Sequence, residues 1–435
     1  MEKNKTIKKW LYLLLTIGWL ALFIKPALLL DRYFFPPHIY LKDFMQEWLM
    51  ARAVTEGMNP YAPLAELAGY FFSPTPERTG LVLPSPHPPP AILLALPFGL
   101  VAYSKAVVLW FLMELACIFT SVYLVAQWWQ DRRPGLRHIV FPSLMLLVLA
   151  PFWQGLLYGQ LSSLLLMLLL LTWRVKRQIP AGLFLGMALS VKFMGWPILL
   201  FFLIRKKWRA AGIAVVIPVL ANIMAALVIG GGPVSHYYRF VAVFMASVYR
   251  CMEWNFSLWT LGWRLFSGMC RPFEQSIGIL PLVACDAMAP YASIFILLAV
   301  LATGLAMASR SSDRDVSYAV LFCVSAMVTP LAWIHTLVLL LLPLAVALRR
   351  LQQSGCPSFP TALWGLLTAL LLIPDFTLIN FLSRFNISPN FSGPTVVSFW
   401  PGLITLLPLA VTLCLMVLVY RSASSGRDAS SVANA

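Results

Sequence analysis

The chain has 435 residues, of which 60% are hydrophobic and 11% are charged. Soluble domains carry roughly 25% charged residues, so this composition excludes an ordinary soluble protein and indicates one embedded in a membrane. The net charge of +16 lies in short basic clusters between apolar runs, as in cytoplasmic membrane loops, so we expect no nucleic-acid partner.

The chain opens with a lysine-rich stretch followed by the apolar run 10–30. These lysines favour a cytoplasmic N-terminus by the positive-inside rule. The run is too long for the apolar part of a signal peptide and no small-residue cleavage site follows it, so we predict an uncleaved span. Reading on with a span length of about 20 residues predicts about twelve spans and a cytoplasmic C-terminus. The predicted spans are 10–30, 105–128, 139–154, 159–174, 179–192, 196–205, 210–230, 289–309, 316–330, 335–348, 360–375 and 398–420.

The first long loop, residues 31–104, is predicted to lie outside the cell and to be ordered, because it is rich in aromatic residues and proline. Apolar residues recur at helical spacing from Phe44 onward, which predicts a helix lying in the membrane interface. Asp43 and Glu47 are four residues apart and share one face of that helix. A carboxylate here could be a general base, or it could satisfy the helix end or a surface ion pair.

Several predicted spans are too short to cross a bilayer, among them 179–192 and 196–205, which are joined by Phe193-Met194-Gly195. Broken helices are tolerated at membrane depth where they line a protein cavity or a water-filled cleft. The sequence therefore predicts a groove at this break. Lys192 sits at the break, either as a lysine that reaches for the interface or as a cation for an anionic ligand.

The second long loop, residues 231–290, is also aromatic and is predicted to be ordered on the outer face. Its arginines Arg239, Arg250 and Arg264 could pair with phosphate or anchor the loop at the interface. His335 lies at the outer end of a later predicted span. A lone histidine there is either part of the hydrogen-bonded structure or a catalytic group.

The motifs that the sequence lacks bear on which cofactors the protein could bind. The chain contains no Walker loop, no GxSxG motif and no His/Cys cluster with metal-ligand spacing, so we predict neither a metal nor a cofactor. It also lacks a Rossmann-type nucleotide-binding domain, so any activated donor is predicted to be membrane-borne. Residues 1–435 are predicted to form a single all-α polytopic membrane domain that ends in a frayed polar tail, 421–435.

Six segments follow one another in a definite order between about residue 40 and residue 345. They are Asp43-Phe44 with Asn59-Pro60-Tyr61, Pro86-His87-Pro88-Pro89-Pro90, Gly159-Gln160, Gly182 and Gly186 before Lys192 and Pro197, Asn255-Phe256-Ser257-Leu258 before Arg264-Leu265, and Thr329-Pro330-Leu331-Ala332-Trp333-Ile334-His335. In this order they resemble the motifs of glycosyltransferase family 87, the polyprenol-phosphate-mannose-dependent mannosyltransferases. The chain departs from the family pattern at His87 or Pro88, where a Tyr is usual, and at Thr336, where a second His is usual.

The resemblance implies a C-type glycosyltransferase (GT-C) bundle of about twelve transmembrane helices with long ordered extracytoplasmic loops. It implies an enzyme that transfers a hexosyl group, most readily mannose, from a polyprenyl-phosphate-linked donor. The acceptor is expected to be a glycolipid or glycan outside the cell. The expected location is the cytoplasmic membrane of a bacterium, with both termini in the cytoplasm and the active site on the outer side.

The resemblance also assigns roles to individual residues. Asp43 occupies the position of the family's catalytic base, and His335 matches its active-site histidine. Lys192, with Arg264, is expected to neutralise the donor phosphate. Glu47 is expected to be structural. The substrate-binding residues that follow from the resemblance are Lys192, Gln160, Arg264 and Asn255.

A secondary transporter or lipid flippase is the main alternative, because interrupted spans and an intramembrane lysine are common in such proteins. Two features count against it. The halves of the chain show no internal repeat, and the long loops are concentrated on one predicted face. A non-catalytic membrane scaffold is a third possibility, and it would have no need of Asp43 or His335.

Overall fold

The computed structural model describes residues 2–75, 82–250, 252–271, 273, 276–388 and 395–432, with side chains from Ile17 to Ser422. It is predominantly helical, which agrees with the predicted all-α class. The α-helices of the first half are α1 (Glu2–Arg32), α2 (Phe44–Thr55), α3 (Leu64–Phe71), α4 (Pro89–Gly99), α5 (Tyr103–Gln130), α6 (Arg137–Leu146), α7 (Ala150–Tyr158), α8 (Ser162–Arg174), α9 (Gln178–Val191), α10 (Trp196–Ile204) and α11 (Trp208–Ile229).

The second half continues in the same way. Its α-helices are α12 (Gly231–His236), α13 (Ala242–Arg250), α14 (Leu258–Phe266), α15 (Ala289–Arg310), α16 (Arg314–Val328), α17 (Leu341–Gln353), α18 (Ser358–Leu370), α19 (Asp375–Leu382), α20 (Phe399–Gly402) and α21 (Leu407–Val432). Short 3-10 helices are His38–Leu41, Asp286–Met288, Ile334–Leu340, Ser383–Phe385 and Leu403–Leu406, and Tyr237–Val241 is a π-helix. Two short strands, β1 (Gly278–Ile279) and β2 (Val396–Val397), pair in parallel.

Within the described residues, five helical segments are long and apolar enough to cross a membrane: Tyr103–Gln130, Trp208–Ile229, Asp286–Arg310, Ile334–Gln353 and Phe399–Ser422. Two sharply bent pairs, α6 with α7 and α18 with α19, raise this to seven if each pair is one span. The chain is thus a multi-pass membrane protein, but twelve spans are not confirmed. Helices such as α9, with 14 residues, reach only about 21 Å at 1.5 Å per residue, short of the roughly 30 Å hydrocarbon core.

The core is built around α16, which is buried along its length and packs against α15, α17 and α21. A second cluster of buried side chains joins the first long loop to the bundle, where α2 packs on α4 and α5. The ring of Phe44, the first residue of α2, stacks on Trp110 of α5 with ring centroids 4.4 Å apart. This contact holds the N-terminus of α2 against α5 of the membrane bundle. Asp43, the residue before Phe44, is held beside the bundle by the same contact.

Candidate active site

Asp43 occupies the position before the first residue of α2, yet its carboxylate does not cap its own helix. Instead, Gln160 Nε2 donates a hydrogen bond of 2.6 Å to Asp43 Oδ2. The oxygen of the same amide, Gln160 Oε1, accepts a hydrogen bond of 3.4 Å from Lys192 Nζ. Three of the six predicted site residues therefore meet in one polar chain, which we call the Asp43–Gln160–Lys192 chain.

Gly159 explains why Gln160 reaches Asp43. Its φ of +71° is left-handed, and a Cβ atom there would lie 2.7 Å from the Cβ of Phe44. Glycine suits this turn because it adopts positive φ without steric cost and lets another backbone approach closely. The Trp110 indole nitrogen also donates to the Gly159 carbonyl at 2.9 Å. The turn after α7 is thereby pressed against the start of α2.

We expect Gly159→Ala to destabilise the protein by about 2 kcal/mol and to lower its activity at least tenfold, because left-handed strain costs about 1–3 kcal/mol and the methyl group also displaces Phe44. Thermal unfolding in detergent and turnover together measure the effect. Gly57→Ala is the matched control, since Gly57 has a φ of +69° but no atom within 4 Å of the added Cβ. Equal losses in the two variants would show that the close approach to Phe44 has no role.

Lys42, next to Asp43 in sequence, ties the same segment to α7. Its ammonium donates to the carbonyls of Leu157, at 2.7 Å, and Leu156, at 3.3 Å. Cations are favoured at the C-terminal end of a helix, where carbonyl groups lack partners. Burial lowers the pKa of Lys42 to about 8, although the nearby carboxylates of Glu114 and Asp43 oppose that shift. Sequence reasoning gave Lys42 no role.

Lys192 is positioned by the packing of α9 on α11. A Cβ atom at Gly182 would lie 2.5 Å from the carbonyl oxygen of Ala210, and one at Gly186 would lie 2.6 Å from Ile217 Cβ. Both glycines therefore let the two helices approach closely, and α9 ends just before Lys192. Asp43 and Glu47 both act electrostatically on the Lys192 ammonium. Lys192 has no acidic residue near it in sequence, but the fold brings the carboxylates of Asp43 and Glu47 close enough to interact with it.

His335 lies on the 3-10 helix Ile334–Leu340 and is buried. A Cβ atom at Gly155 of α7 would lie 3.9 Å from His335 Cβ, so the histidine packs beside the helix that leads to Gln160. Lys192 and His87 both act electrostatically on its imidazole. The fold thus brings His335 into the neighbourhood of the Asp43–Gln160–Lys192 chain, and its catalytic role stays a prediction.

Asn255 contacts the segment before His335. Its side-chain nitrogen donates to the Pro330 carbonyl at 2.9 Å, and its side-chain oxygen accepts from the backbone nitrogens of Ala332 and Ser257, both at 3.1 Å. Because these bonds use both ends of the amide, Asn255 fastens the second long loop to the chain just before His335. In this structure its polar atoms are directed at backbone, and its predicted substrate contact stays a prediction.

Arg264 is buried and also bonds within the protein. Its guanidinium donates to the backbone carbonyls of Glu253 and Asn255 and, at 2.7 Å, to Thr405 Oγ1. Burial lowers its pKa to about 10, and the Glu253 carboxylate opposes that shift. No contact between Arg264 and Lys192 is found among the described residues, and their joint role at the donor phosphate stays a prediction. Sequence reasoning could not have distinguished an arginine for phosphate from one that holds a loop.

Glu253 leads to a prediction on pH. It is fully buried, its Oε1 accepts from the Ile277 nitrogen at 3.1 Å, and burial raises its pKa to about 7. A raised carboxyl pKa means that the folded state binds more protons than the unfolded chain, so stability falls as pH rises from about 4.5 to about 7. The slope is at most about 1.4 kcal/mol per pH unit.

We expect Glu253→Gln to flatten this slope of stability against pH in thermal unfolding curves, whereas Glu66→Gln, at an exposed site, should leave the slope unchanged. Parallel curves for the wild type and Glu253→Gln would contradict this assignment.

Sequence reasoning missed one pair entirely. Glu47 is completely buried and forms an ion pair with His87, whose Nδ1 faces Glu47 Oε1. The only local signal was the spacing that places Glu47 on the same helix face as Asp43. His87 stands in a segment whose proline-rich pattern predicts no imidazole, so no sequence rule joined it to Glu47.

The geometry combines a carboxylate, an amide and an ammonium with two histidines, beside helices too short to span the membrane. A carboxylate can accept a proton and an ammonium can balance a phosphate, which suits a displacement at a phosphate-linked carbon. Within the described residues, no group of three or more His, Cys, Asp or Glu side chains could hold a metal ion.

Comparisons with known proteins identify the family. Residues 86–330, more than half of the chain, match the family model described as Glycosyltransferase family 87. A stretch of 161 residues is 31% identical to proteins named alpha-(1->3)-arabinofuranosyltransferase from two strains of Mycobacterium tuberculosis, CDC 1551 / Oshkosh and ATCC 25618 / H37Rv. This match covers 35% of the chain and 36% of each relative, so the chain spans little more than a third of their length. No solved structure matches. By the family match, the chain belongs to glycosyltransferase family 87.

Proposed function

We propose that the protein is a membrane glycosyltransferase that moves a sugar from a polyprenyl-phosphate-linked donor to the hydroxyl of a glycolipid or glycan. The observation that carries this proposal is the Asp43–Gln160–Lys192 chain, in which one amide joins a carboxylate to an ammonium. The two charges match the two needs of the reaction, a base for the acceptor and a cation for the leaving phosphate. Family membership supports the same reaction class.

The proposed step is a single displacement. The acceptor oxygen forms a bond to the anomeric carbon while its proton passes to the Asp43 carboxylate. The bond between that carbon and the phosphate oxygen breaks, and its electron pair stays on the phosphate, whose charge Lys192 balances. One displacement inverts the anomeric centre. His335 would help to place the phosphate or the hydroxyl, and Gln160 keeps the base and the cation in register.

Asn255 and Arg264 have a different role in this proposal. Asn255 bonds to the segment that leads to His335, and Arg264 bonds to the carbonyl of Asn255, which supports a positioning function for both. Direct contact of either side chain with substrate stays a prediction. No metal or cofactor is needed in this scheme, because a single phosphate can be balanced by lysine, so we expect EDTA to leave turnover unchanged.

The donor sugar has two candidates. Mannose follows from the resemblance of the motifs, whereas the relatives that share 31% identity are named as arabinofuranosyltransferases. The mannosyl prediction therefore has no support from these relatives, and a polyprenyl-phosphate arabinofuranosyl donor becomes the second candidate. We further propose that the protein resides in a bacterial cytoplasmic membrane, with Asp43 on the outer side and both termini in the cytoplasm.

The test is release of polyprenyl phosphate by the purified protein in lipid nanodiscs. Polyprenyl-phosphate mannose and polyprenyl-phosphate arabinofuranose are each offered with a panel of glycolipid and oligosaccharide acceptors. Transfer from either donor supports the proposed reaction and identifies the sugar. Movement of lipid-linked sugar across a vesicle membrane without any covalent change would overturn it in favour of a transporter or flippase.

A further inference from the structure

A second pair of titratable side chains lies beside the predicted base. Glu47 follows Asp43 by one helical turn on α2, and its carboxylate is completely buried. His87 lies just before α4 and is only 8% exposed, with Nδ1 on Glu47 Oε1. Burying a carboxylate costs free energy unless a partner compensates its charge. The burial of the Glu47–His87 pair therefore calls for a functional reason. The proposed sugar displacement does not use this pair.

The imidazole is held in place by the backbone around it. The Tyr61 hydroxyl donates to the His87 carbonyl at 3.0 Å, and the His87 nitrogen donates to Ser85 Oγ at 3.3 Å. The Tyr237 hydroxyl donates to the carbonyl of Pro86 at 2.7 Å. Side chains from the first long loop and from the π-helix thus fix the segment on both sides of the ring. An imidazole fixed in this way has one defined direction for its second nitrogen.

The charged and titratable groups around His87 come from several elements: Glu47 of α2, Lys192 after α9, His335 of the 3-10 helix, and the hydroxyls of Tyr61 and Tyr237. Glu47 acts electrostatically on Lys192, and His87 acts on His335, so the pair belongs to the same centre as the Asp43–Gln160–Lys192 chain. Burial raises the pKa of both tyrosines, which therefore stay neutral near pH 7. The contact with Glu47 uses Nδ1 of His87, so Nε2 is the ring nitrogen that remains for a ligand.

We infer that Nε2 of His87 contacts the phosphate of the lipid-linked donor, and that Glu47 is the positioning residue that orients this imidazole. This inference rests on the proposed function. With both nitrogens protonated, a histidine donates two hydrogen bonds, one to Glu47 and one to the phosphate. When the sugar–phosphate bond breaks, its electron pair stays on the phosphate oxygen, where this second donor stabilises it. The proton of the acceptor is on Asp43 at that point, so His87 neither gains nor loses one.

In this inference Glu47 offsets the charge of His87 as Asp43 offsets that of Lys192, and the nearby Lys42 and Glu114 act on each other in the same way. The donor phosphate then contacts two cationic hydrogen-bond donors, Lys192 and His87. Glu47 offsets the charge of His87, whose imidazole it orients. This arrangement gives Glu47 a reason to be buried one turn after the base.

Binding of the product, polyprenyl phosphate, tests the inference directly. Affinity is measured in nanodiscs at about pH 6 and about pH 8.5, because histidine changes its charge between these values. The phosphate itself becomes more negative over this range, since its second pKa is about 6, so on its own it should bind a fixed cation more tightly at high pH. We expect the wild type to bind several-fold more weakly at the higher pH. His87→Gln should bind about tenfold more weakly than the wild type at the lower pH, and should not weaken further.

Two other variants protect the test against a folding defect. Glu47→Gln keeps the shape of the side chain and leaves the imidazole in place, and we expect an affinity between those of the wild type and His87→Gln. Glu66→Gln removes an exposed carboxylate from the same loop and should match the wild type at both pH values. Thermal unfolding confirms that each variant is folded.

The outcomes separate this inference from the proposed function. A wild type that binds polyprenyl phosphate and transfers sugar, beside a His87→Gln variant with the same affinity and the same pH dependence, overturns the role of His87 and leaves the proposed function intact. A wild type that neither binds polyprenyl phosphate nor transfers sugar overturns both.

Discussion

Asp43→Asn is expected to lower the rate of sugar transfer by about 10²–10⁴-fold, the range that a positioned general base contributes. Asparagine has nearly the same shape, and its amide oxygen can still accept the bond that Gln160 donates at 2.6 Å. What it cannot do is take the proton of the attacking hydroxyl. We therefore expect the fold and the affinity for the donor to change little, because the base meets the acceptor and not the lipid phosphate.

The measurement is single-turnover release of polyprenyl phosphate, with donor binding and thermal unfolding recorded for the same samples. Asp31→Asn is the matched control, since Asp31 is an exposed carboxylate at the end of α1. Loss of donor binding in Asp43→Asn would point to a structural role. Transfer at more than half of the wild-type rate would remove Asp43 as the base.

Lys192→Met is expected to lower turnover by about 10²–10³-fold, which is typical when one group that stabilises developing negative charge is removed. Methionine keeps the length of the apolar stem but not the ammonium that contacts Gln160 at 3.4 Å. The variant also removes the cation on which both Asp43 and Glu47 act, although Lys42 still lies near Asp43 and His87 still contacts Glu47. Donor affinity should fall together with turnover, in contrast to Asp43→Asn.

This contrast is the diagnostic result. Lys192→Arg keeps the charge and should recover part of the affinity for polyprenyl phosphate, although its planar guanidinium differs in shape from an ammonium. Lys105→Met, at an exposed lysine near the start of α5, is the control for loss of charge alone. If Lys192→Met binds the donor as well as Lys105→Met does, then Lys192 is not the phosphate ligand.

The number of spans shows where hydropathy reasoning reaches its limit. The all-α membrane class is confirmed, because apolar runs in a charge-poor chain leave few alternatives. The twelve predicted spans are not confirmed. A short apolar run has the same hydropathy whether it crosses the bilayer or ends inside the protein. The helices α6 and α7 are bent by 83° and α18 and α19 by 81°, and hydropathy carries no signal for these angles.

The two polar residues of the second long loop illustrate a similar limit. Arg264 and Asn255 match motif positions, and sequence reasoning gave both a substrate contact. In the fold they donate to backbone carbonyls, including Pro330 near His335. A side chain carries its donors in any context, but only the packing of the loop decides which acceptors come within reach.

The sequence by itself determined that this is a helical membrane protein, placed its motifs in order, and pointed to Asp43, Lys192 and His335. The membrane class follows from composition and apolar runs, whereas the roles of Asp43 and His335 follow from the resemblance of the ordered motifs to a known family. Only the tertiary structure decided that Asp43 meets Gln160 from 117 residues away and that Glu47 meets His87. Such contacts follow from close helix packing, as where Gly159 presses on Phe44, and a local pattern does not encode which surfaces will touch.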